Sequence, residues 1–225
     1  MTHFRNAGLL LLITLLFSWN AHSAGKGGSS IGAFIGTTGA TQTDVNSLIA
    51  VTGGSKLTSG LEFSGHYTYR FSGSIIAMQF RPSYFTSSVS SGGVSYSVTG
   101  FTLFPIFKMY WLESNYIKFF TQVGLGWGFA SGEIKEASAN AKFSSNNMGA
   151  MAGLGAEFCF FGGSHCVDVE GSFRYLPFVR NVVDSSSGTL SSGATTTDKE
   201  IEFNNADLGT TFSGIMGVLG YNFYF

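Results

Sequence analysis

The sequence predicts an all-β fold, namely an eight-stranded antiparallel up-and-down transmembrane β-barrel. Three observations lead to this prediction. Only 11% of the residues are charged, against about 25% in ordinary soluble proteins. Apolar and polar residues alternate with a period of two in several segments, which is the pattern of strands rather than helices. The connections between these segments alternate between long and short.

The N-terminus has the features of a secretory signal peptide. Arg5 supplies positive charge, and the apolar run over residues 7–17 is shorter than the ~20 residues that a helical span needs. Small residues occupy the third-last and last positions before a cut after Ser23. We therefore expect a signal peptide over residues 1–23 and a barrel over residues 24–225. No Cys lies near the cut, which disfavours a lipid-anchored lipoprotein.

Three segments show the alternation most clearly. From Ile117 to Phe129 every odd residue is apolar or Thr, and the even residues are Lys, Phe, Gln or Gly. Residues 148–160 and 167–175 repeat this pattern. Five further strands are predicted with the same period, at residues 31–38, 61–71, 74–85, 94–111 and about 208–225.

The connections between the predicted strands differ in length in a regular way. Long or medium loops rich in Ser, Thr, Gly and Asn are predicted at residues 39–59, 86–93, 131–146 and 179–205. Tight turns are predicted at residues 72–73, 112–115 and 161–164. This alternation is typical of outer-membrane barrels, which place their long loops outside the cell and their short turns in the periplasm. The predicted location is therefore the bacterial outer membrane.

The fourth segment, residues 94–111, does not keep one apolar face. Apolar residues occupy even positions up to Val98 and odd positions from Phe101. This switch predicts a β-bulge near Thr99-Gly100. Pro105 is difficult to place inside a strand with two neighbours, because it cannot donate to the ladder. Two other prolines are predicted near the loop-side ends of their strands, at Pro82 and Pro177.

Most charges within the predicted strands lie opposite the aromatic face. A soluble barrel would expose them to water, but that exterior would also carry many glycines. A membrane barrel explains both, because glycine relieves crowding inside a narrow barrel and charges can pair there, away from lipid. With Phe104, Phe120 and Met151 also pointing inward, the interior is predicted to be filled. The predicted interior ionic network comprises Glu62, Arg70, Arg81, Lys108, Lys118, Glu157, Asp168, Glu170 and Arg174.

The last twelve residues, from Gly214 to Phe225, resemble the final strand of small barrels of the OmpA/OmpX-like superfamily. The segment ends on a terminal Phe. Its alternate residues share one face, namely Ile215, Leu219, Tyr221, Phe223 and Phe225. The Val-Gly-Leu-Gly-Trp run ending at Trp127 also resembles a middle strand of these proteins. The resemblance implies that the barrel-assembly machinery reads Tyr221, Phe223 and Phe225 as its signal. We expect the chain to depart from the OmpA pattern by lacking a periplasmic peptidoglycan-binding domain.

Cys159 and Cys166 flank a tight turn and fall on the predicted interior face. If Gly162-Gly163 is a two-residue hairpin loop, the two Cys face each other across the strands. An oxidising periplasm then favours a structural disulfide over two free thiols. A metal site from Cys159, His165 and Cys166 is disfavoured, because adjacent strand residues point to opposite faces. We expect neither a metal nor a cofactor.

Lipid-modifying enzymes of the outer membrane would need a nucleophilic Ser, a His base and an acidic group. Glu62, Ser64 and His66 share one face of the second strand. Residues two apart on one strand are far for a direct relay, so interior polar packing is the preferred interpretation. The sequence therefore predicts no catalytic residues.

The leading functional hypothesis is a non-enzymatic, monomeric outer-membrane protein that acts in envelope integrity or surface adhesion. Outer-membrane lipid surrounds it, and an extracellular ligand or host surface meets its loops. The longest loop region is mildly acidic, with Asp184, Asp198, Glu200, Glu202 and Asp207 against Arg180 and Lys199. Without residues 1–23, 11 basic and 13 acidic residues remain, which does not favour nucleic-acid binding. A narrow OmpW-like channel for small or apolar solutes and a lipid-modifying enzyme are the alternatives.

Overall fold

The structure is a computed structural model that describes residues 28–39, 42–51, 56–91, 93–190, 194–197, 200–203 and 206–225. The predicted signal peptide lies outside these residues. One helix, α1, spans Thr43–Val51, and a 3-10 turn spans Phe161–Gly163. The strands are β1 Gly28–Gly39, β2 Ser59–Arg70, β3 Ile76–Ser91, β4 Val94–Glu113, β5 Ile117–Lys135, β6 Asn140–Phe160, β7 His165–Tyr175, β8 Pro177–Phe178, β9 Val182–Ser187, β10 Ala194–Thr197, β11 Glu200–Phe203, β12 Ala206–Asp207, β13 Thr210–Thr211 and β14 Gly214–Tyr224.

Eight long strands form the wall of a closed barrel. Strands β1 to β7 pair antiparallel in chain order, and β14 closes the circle between β7 and β1. This confirms the predicted eight-stranded antiparallel barrel. The ends of β1 and β14 meet at the turn end, where the Ser29 amide donates to the Phe225 carbonyl at 3.1 Å. The connections at this end are short, so it is the periplasmic end in an outer-membrane barrel.

Strand β4 keeps one orientation throughout its length. Its even residues, from Val94 to Tyr110, all point inward and are buried or partly buried. The register with β3 and β5 is continuous at Gly100, so the predicted bulge at Thr99-Gly100 is wrong. The observed irregularity lies between Tyr110 and Leu112. The apolar residues change faces because the surroundings of the strand change, from water on the loop side to lipid below.

Several strands run farther on the loop side than predicted. Strand β3 continues to Ser91 and β4 starts at Val94, so the predicted medium loop 86–93 is mostly a hairpin. Most of the predicted loop 131–146 likewise belongs to β5 and β6, which pair as far as Lys135 and Asn140. These segments are rich in Ser and Asn, which predicted loops. They are instead strands whose outer face is solvated. The last wall strand, in contrast, starts at Gly214 rather than near residue 208.

Two prolines lie inside wall strands, where a missing N–H would normally break a ladder. Between Leu103–Trp127 and Ile106–Gly124 the β4–β5 ladder has no pairs, and Pro105 lies in this gap. Pro82 lies in a similar gap in the β2–β3 ladder, between Ser64–Ser83 and Tyr67–Phe80. The prediction that Pro82 lies near the loop-side end of its strand is therefore wrong. Pro82 lies in the middle of β3, because β3 continues farther on the loop side than expected.

Helix α1 and the short strands β8 and β13 cover the loop end of the barrel. Their apolar residues join inward residues of the extended wall strands in one buried cluster, which we call the apolar cap. The cap contains Val45, Leu48, Ile49, Leu57, Phe85, Val94, Tyr96, Val98, Ala130, Ile134, Ala139, Ala141, Phe143, Leu176, Phe178, Leu190, Ile201, Leu208 and Phe212.

No helix in the described part of the chain is long and apolar enough to cross a membrane.

Candidate functional site

The middle of the barrel interior is organised around the carboxylate of Glu170. Arg81 Nη2 donates to Glu170 Oε1 at 2.7 Å, and Lys108 Nζ donates to the same oxygen at 3.0 Å. Gln122 Nε2 donates to the other oxygen at 3.0 Å. Lys108 also lies 3.5 Å from Asp168 Oδ2. Because these groups come from β3, β4, β5 and β7, the ion pairs connect opposite walls of the barrel.

Phe34 fills the space beside this ionic group. Its ring stacks on the His66 ring at a centroid distance of 4.4 Å, and the Arg81 guanidinium lies 4.4 Å from its centroid. The ring lies over Gly220 so closely that a Cβ there would be 1.8 Å from Phe34 Cδ1. An inward glycine is therefore required at this position for the aromatic ring to cross the interior.

A second group of charges lies nearer the periplasmic end. Glu157 accepts hydrogen bonds from the hydroxyls of Tyr110, at 3.0 Å, and Tyr224. Lys118 Nζ lies 3.7 Å from Glu157 Oε2 and 3.4 Å from the centroid of the Tyr224 ring. The last wall strand is thus fastened to β4, β5 and β6 through side chains that point inward.

Arg70 pairs with Glu113, a carboxylate that the sequence interpretation missed. Glu113 lies two residues beyond the predicted end of its strand at residue 111, within the predicted turn at residues 112–115. It adds a fifth carboxylate to the four predicted ones and balances the five cations of the interior. A network without net charge is the arrangement that costs least where water is scarce.

Arg174 connects the interior with the apolar cap. Its guanidinium donates to Glu62 Oε2 at 2.6 Å, to Thr38 Oγ1 at 3.1 Å and to the Phe212 carbonyl at 3.1 Å. Phe212 belongs to the cap and packs on Phe85 at a centroid distance of 4.0 Å. The loop-side group of charges therefore holds the base of the cap in place.

The stripe of Glu62, Ser64 and His66 is not assembled as a catalytic relay. The Glu62 carboxylate is engaged with Arg174. Neither ring nitrogen of His66 has a hydrogen-bond partner among the described residues, and the ring stacks on Phe34 instead. His165, the other described histidine, hydrogen-bonds Tyr221 on the outer surface. The geometry shows interior packing at this stripe.

Cys159 and Cys166 are directly opposed in the β6–β7 ladder and are joined by a disulfide. Their Cα atoms lie 4.0 Å apart. The connection between the strands contains four residues with a 3-10 turn, not a two-residue loop. Gly162 and Gly163 within it have positive φ angles of 70° and 94°, which glycine adopts without strain. With both sulfurs bonded to each other, they are not thiolate metal ligands.

The apolar cap closes the loop-side opening of the interior. Leu176 and Phe178 lie over Gly128, where a Cβ would meet either side chain at 2.9 Å. The sequence signal for this cap is the run of inward apolar residues at Val94, Tyr96 and Val98, from which the sequence analysis predicts a β-bulge instead. The contributions of α1 and Phe212 had no comparable periodicity.

The outer surface below the cap is apolar. Leu125 and Trp111 are both 65% exposed, and Tyr221 and Phe223 of the last strand also point outward. Arg and Lys in this position would cost about 2–4 kcal/mol at the centre of a bilayer, and the wall's charged side chains point inward instead. A closed barrel with this exterior is a transmembrane barrel with its wall in lipid.

Solved structures that are similar to this chain include outer-membrane proteins. A major outer membrane protein from Thermus thermophilus matches over 89% of this chain and 100% of its own, with 14% identity and a TM-score of 0.55. Ail, the attachment invasion locus protein of Yersinia pestis, matches over the same shares with 14% identity and a TM-score of 0.45. Neisserial surface protein A matches over 88% and 97%, with 8% identity and a TM-score of 0.47.

No protein-family model and no curated protein matches the sequence. The similarity to the Thermus protein shows a shared fold. The barrel therefore shares the architecture of a solved outer-membrane protein, and its apolar exterior agrees with a lipid environment.

Proposed function

We propose that this chain is a non-enzymatic outer-membrane protein whose filled barrel anchors a folded extracellular cap for surface contact or envelope integrity. The observation that carries this proposal is the double closure of the interior. The Arg81–Glu170–Lys108 group crosses the middle of the barrel, and the apolar cap covers the loop-side end. A solute would have to displace both layers to pass.

The filling of the middle supports a plug rather than a channel. Eight-stranded barrels have an interior just wide enough for side chains to fill. Phe34, Phe104, Phe120 and Met151 are all buried there beside the ionic group. The Lys108 ammonium lies 4.0 Å from the centroid of the Phe120 ring, so the charged and aromatic side chains pack directly against each other.

The state of the two described histidines supports a non-enzymatic role. His66 has no hydroxyl or carboxylate partner to activate, and His165 contacts Tyr221 at the exterior. A nucleophilic mechanism requires a base within hydrogen-bond reach of its nucleophile. His66 does not meet this requirement in the described residues, and the hydroxyl beside His165 belongs to a tyrosine rather than to the serine that a lipid-modifying relay would use.

The proposal includes the processing and assembly expected from the sequence. The chain is cut after Ser23, the barrel-assembly machinery reads Tyr221, Phe223 and Phe225, and the mature barrel is a monomer that binds extracellular partners through its cap. The outward position of Tyr221 and Phe223 supports recognition from the lipid side. Arg180, which is exposed beside Glu200, supports a polar contact surface on the cap.

Planar-bilayer recording on the purified barrel tests the closure. We expect no steady conductance from the wild type, because charged and aromatic side chains fill its interior. The informative comparison is Phe34→Ala. This variant removes the aromatic ring from the middle of the interior and is expected to show brief openings. A large steady conductance of the wild type would contradict the plug and would instead support the narrow channel.

A further inference from the structure

The extended part of strands β3 to β6 carries an ordered polar face on the outside of the barrel. The polar face begins next to a row of aromatic residues on neighbouring strands, in which Tyr84, Phe101 and Phe129 are directly opposed. The next three rows toward the loop end contain no apolar side chain. We call them the hydroxyl face: Thr86, Thr99, Ser131 and Ser144; Ser88, Ser97, Glu133 and Lys142; Ser90, Ser95, Lys135 and Asn140.

The hydroxyl face directly continues the lipid-facing surface of the same strands. Outward residues of β5 run from Phe129 through Ser131 and Glu133 to Lys135 without a break in pairing. Six residues extend ~20 Å at about 3.4 Å per residue. The face therefore rises from the edge of the hydrocarbon layer into the zone that the headgroups of the outer leaflet occupy.

The hydroxyl face is rigid because its reverse side is packed. The inward residues between its rows, such as Phe85, Tyr96, Ile134 and Phe143, belong to the apolar cap and are buried. Strand spacing of about 4.8 Å sets the distance between neighbouring hydroxyls in a row. The donors and acceptors of this face are thus held at regular positions before any ligand arrives.

Most of these side chains are available to an external partner. Within the described residues, the side-chain hydrogen bonds of the face are those of Ser144, which donates to Asp184 at 2.9 Å, and of Asn140, which accepts from Ser187 at 3.0 Å. Eight of the twelve side chains are hydroxyls, and two of the others, Lys135 and Lys142, are exposed cations. Protein interfaces concentrate aromatic residues and Arg at their centres, and this face has neither.

We infer that the hydroxyl face binds the saccharide headgroups of the glycolipids that surround the barrel in the outer leaflet. Hydroxyl side chains can both donate to and accept from sugar hydroxyls. Lys135 and Lys142 outnumber the one carboxylate of the face, Glu133, so the face attracts anionic groups on these headgroups. The acyl chains of each glycolipid stay in the membrane and hold its sugars beside the face. At this high effective concentration, weak individual hydrogen bonds suffice for binding. This inference rests on the outer-membrane location in the proposed function.

The experiment compares two glycolipids that share one anchor. Purified barrel in detergent is titrated with rough lipopolysaccharide that carries its core saccharide and with lipid A that lacks it, and the two affinities give a preference ratio. We expect the wild type to prefer the saccharide-bearing form. The triple variant Ser97→Ala, Thr99→Ala, Ser131→Ala should lower that ratio about tenfold or more, since each net hydrogen bond is worth a factor of about two to ten.

A matched triple variant on the periplasmic side serves as the control. Ser74→Ala, Ser114→Ala and Ser164→Ala remove three hydroxyls from the turns, and the ratio should stay at the wild-type value. Equal affinity of the wild type for both glycolipids, or an unchanged ratio in the first triple variant, would overturn the inference. If such a result came with no steady conductance in planar bilayers, the proposed function would remain intact. Failure of the inference and failure of the proposed function are therefore distinguishable.

Discussion

The barrel interior and much of the apolar cap lie on the same strands but have opposite polarity. Where lipid surrounds the wall, the inward side chains include Arg81, Lys108 and Glu170, and the outward ones are apolar. Above the hydrocarbon layer, the inward side chains are apolar, such as Tyr96 and Ile134, and the outward ones are polar, mostly Ser and Thr. The orientation of each strand stays the same, so the change follows the solvent outside the wall.

This difference means that the two regions depend on different forces. The middle is held by charge pairs, and a buried ion left without its partner is strongly destabilising. The cap is held by the removal of apolar surface from water, as in a soluble domain. Arg174 is the point at which the two regions meet, because it contacts both Glu62 and the Phe212 carbonyl.

The largest effect should come from Glu170→Gln in the ionic middle. The substitution keeps the volume but leaves Arg81 and Lys108 without their shared carboxylate, and we expect a loss of about 3–5 kcal/mol of unfolding free energy. Urea unfolding of the barrel in lipid vesicles measures it, with an unchanged m-value. The control is Glu200→Gln in the exposed Arg180 pair, which should cost about 0–1 kcal/mol. Similar losses for both variants would show that the middle does not depend on charge pairing.

The boundary between the two regions can be located with two outward positions on β5. Leu125→Arg places a charge in the lipid-facing wall and should cost about 2–4 kcal/mol. Ser131→Arg lies above the aromatic row, where hydrated headgroups rather than hydrocarbon surround the strand, and should change the unfolding free energy by no more than about 0.5 kcal/mol. The same urea titration compares them. Equal costs would mean that the hydrocarbon layer reaches the hydroxyl face.

The disulfide at the turn end should stabilise the barrel wall and leave the cap unchanged. The double variant Cys159→Ser, Cys166→Ser removes a crosslink with a sequence separation of 7, and we expect a loss of about 2 kcal/mol. Reductant added to the wild-type unfolding experiment should reproduce this loss. Limited proteolysis of the cap should be the same in both proteins, and faster cleavage of the cap would show that the two regions are coupled through this crosslink.

The smallest effect should distinguish burial in the cap from contact with lipid. Ile134→Val removes one methylene from a fully buried position and should cost about 0.5–1.5 kcal/mol. Ile35→Val makes the same change on the lipid-facing wall, where lipid replaces the lost contact, and its cost should be close to zero. A cost at Ile35 equal to that at Ile134 would show that β1 packs against protein rather than lipid.

Much of the wall was predictable from the residues. The alternation from Ile117 to Phe129 identified β5 and its faces, and the eight-strand count was confirmed. The interpretation of β4 was wrong because period-two alternation was assumed to keep apolar residues on one face, which holds only where the solvent outside is constant. Glu113 was missed for a different reason, because strand ends have no periodic signal of their own.

The sequence by itself determined which residues alternate, how many strands close the barrel and which charges are buried, since these follow from a period of two and from the cost of charge in lipid. Only the tertiary structure decided that Glu170 serves both Arg81 and Lys108, that Arg174 joins interior to cap, and that α1 packs over the loop end. These contacts join residues far apart in the chain. Their partners depend on barrel closure and register, which local patterns do not encode.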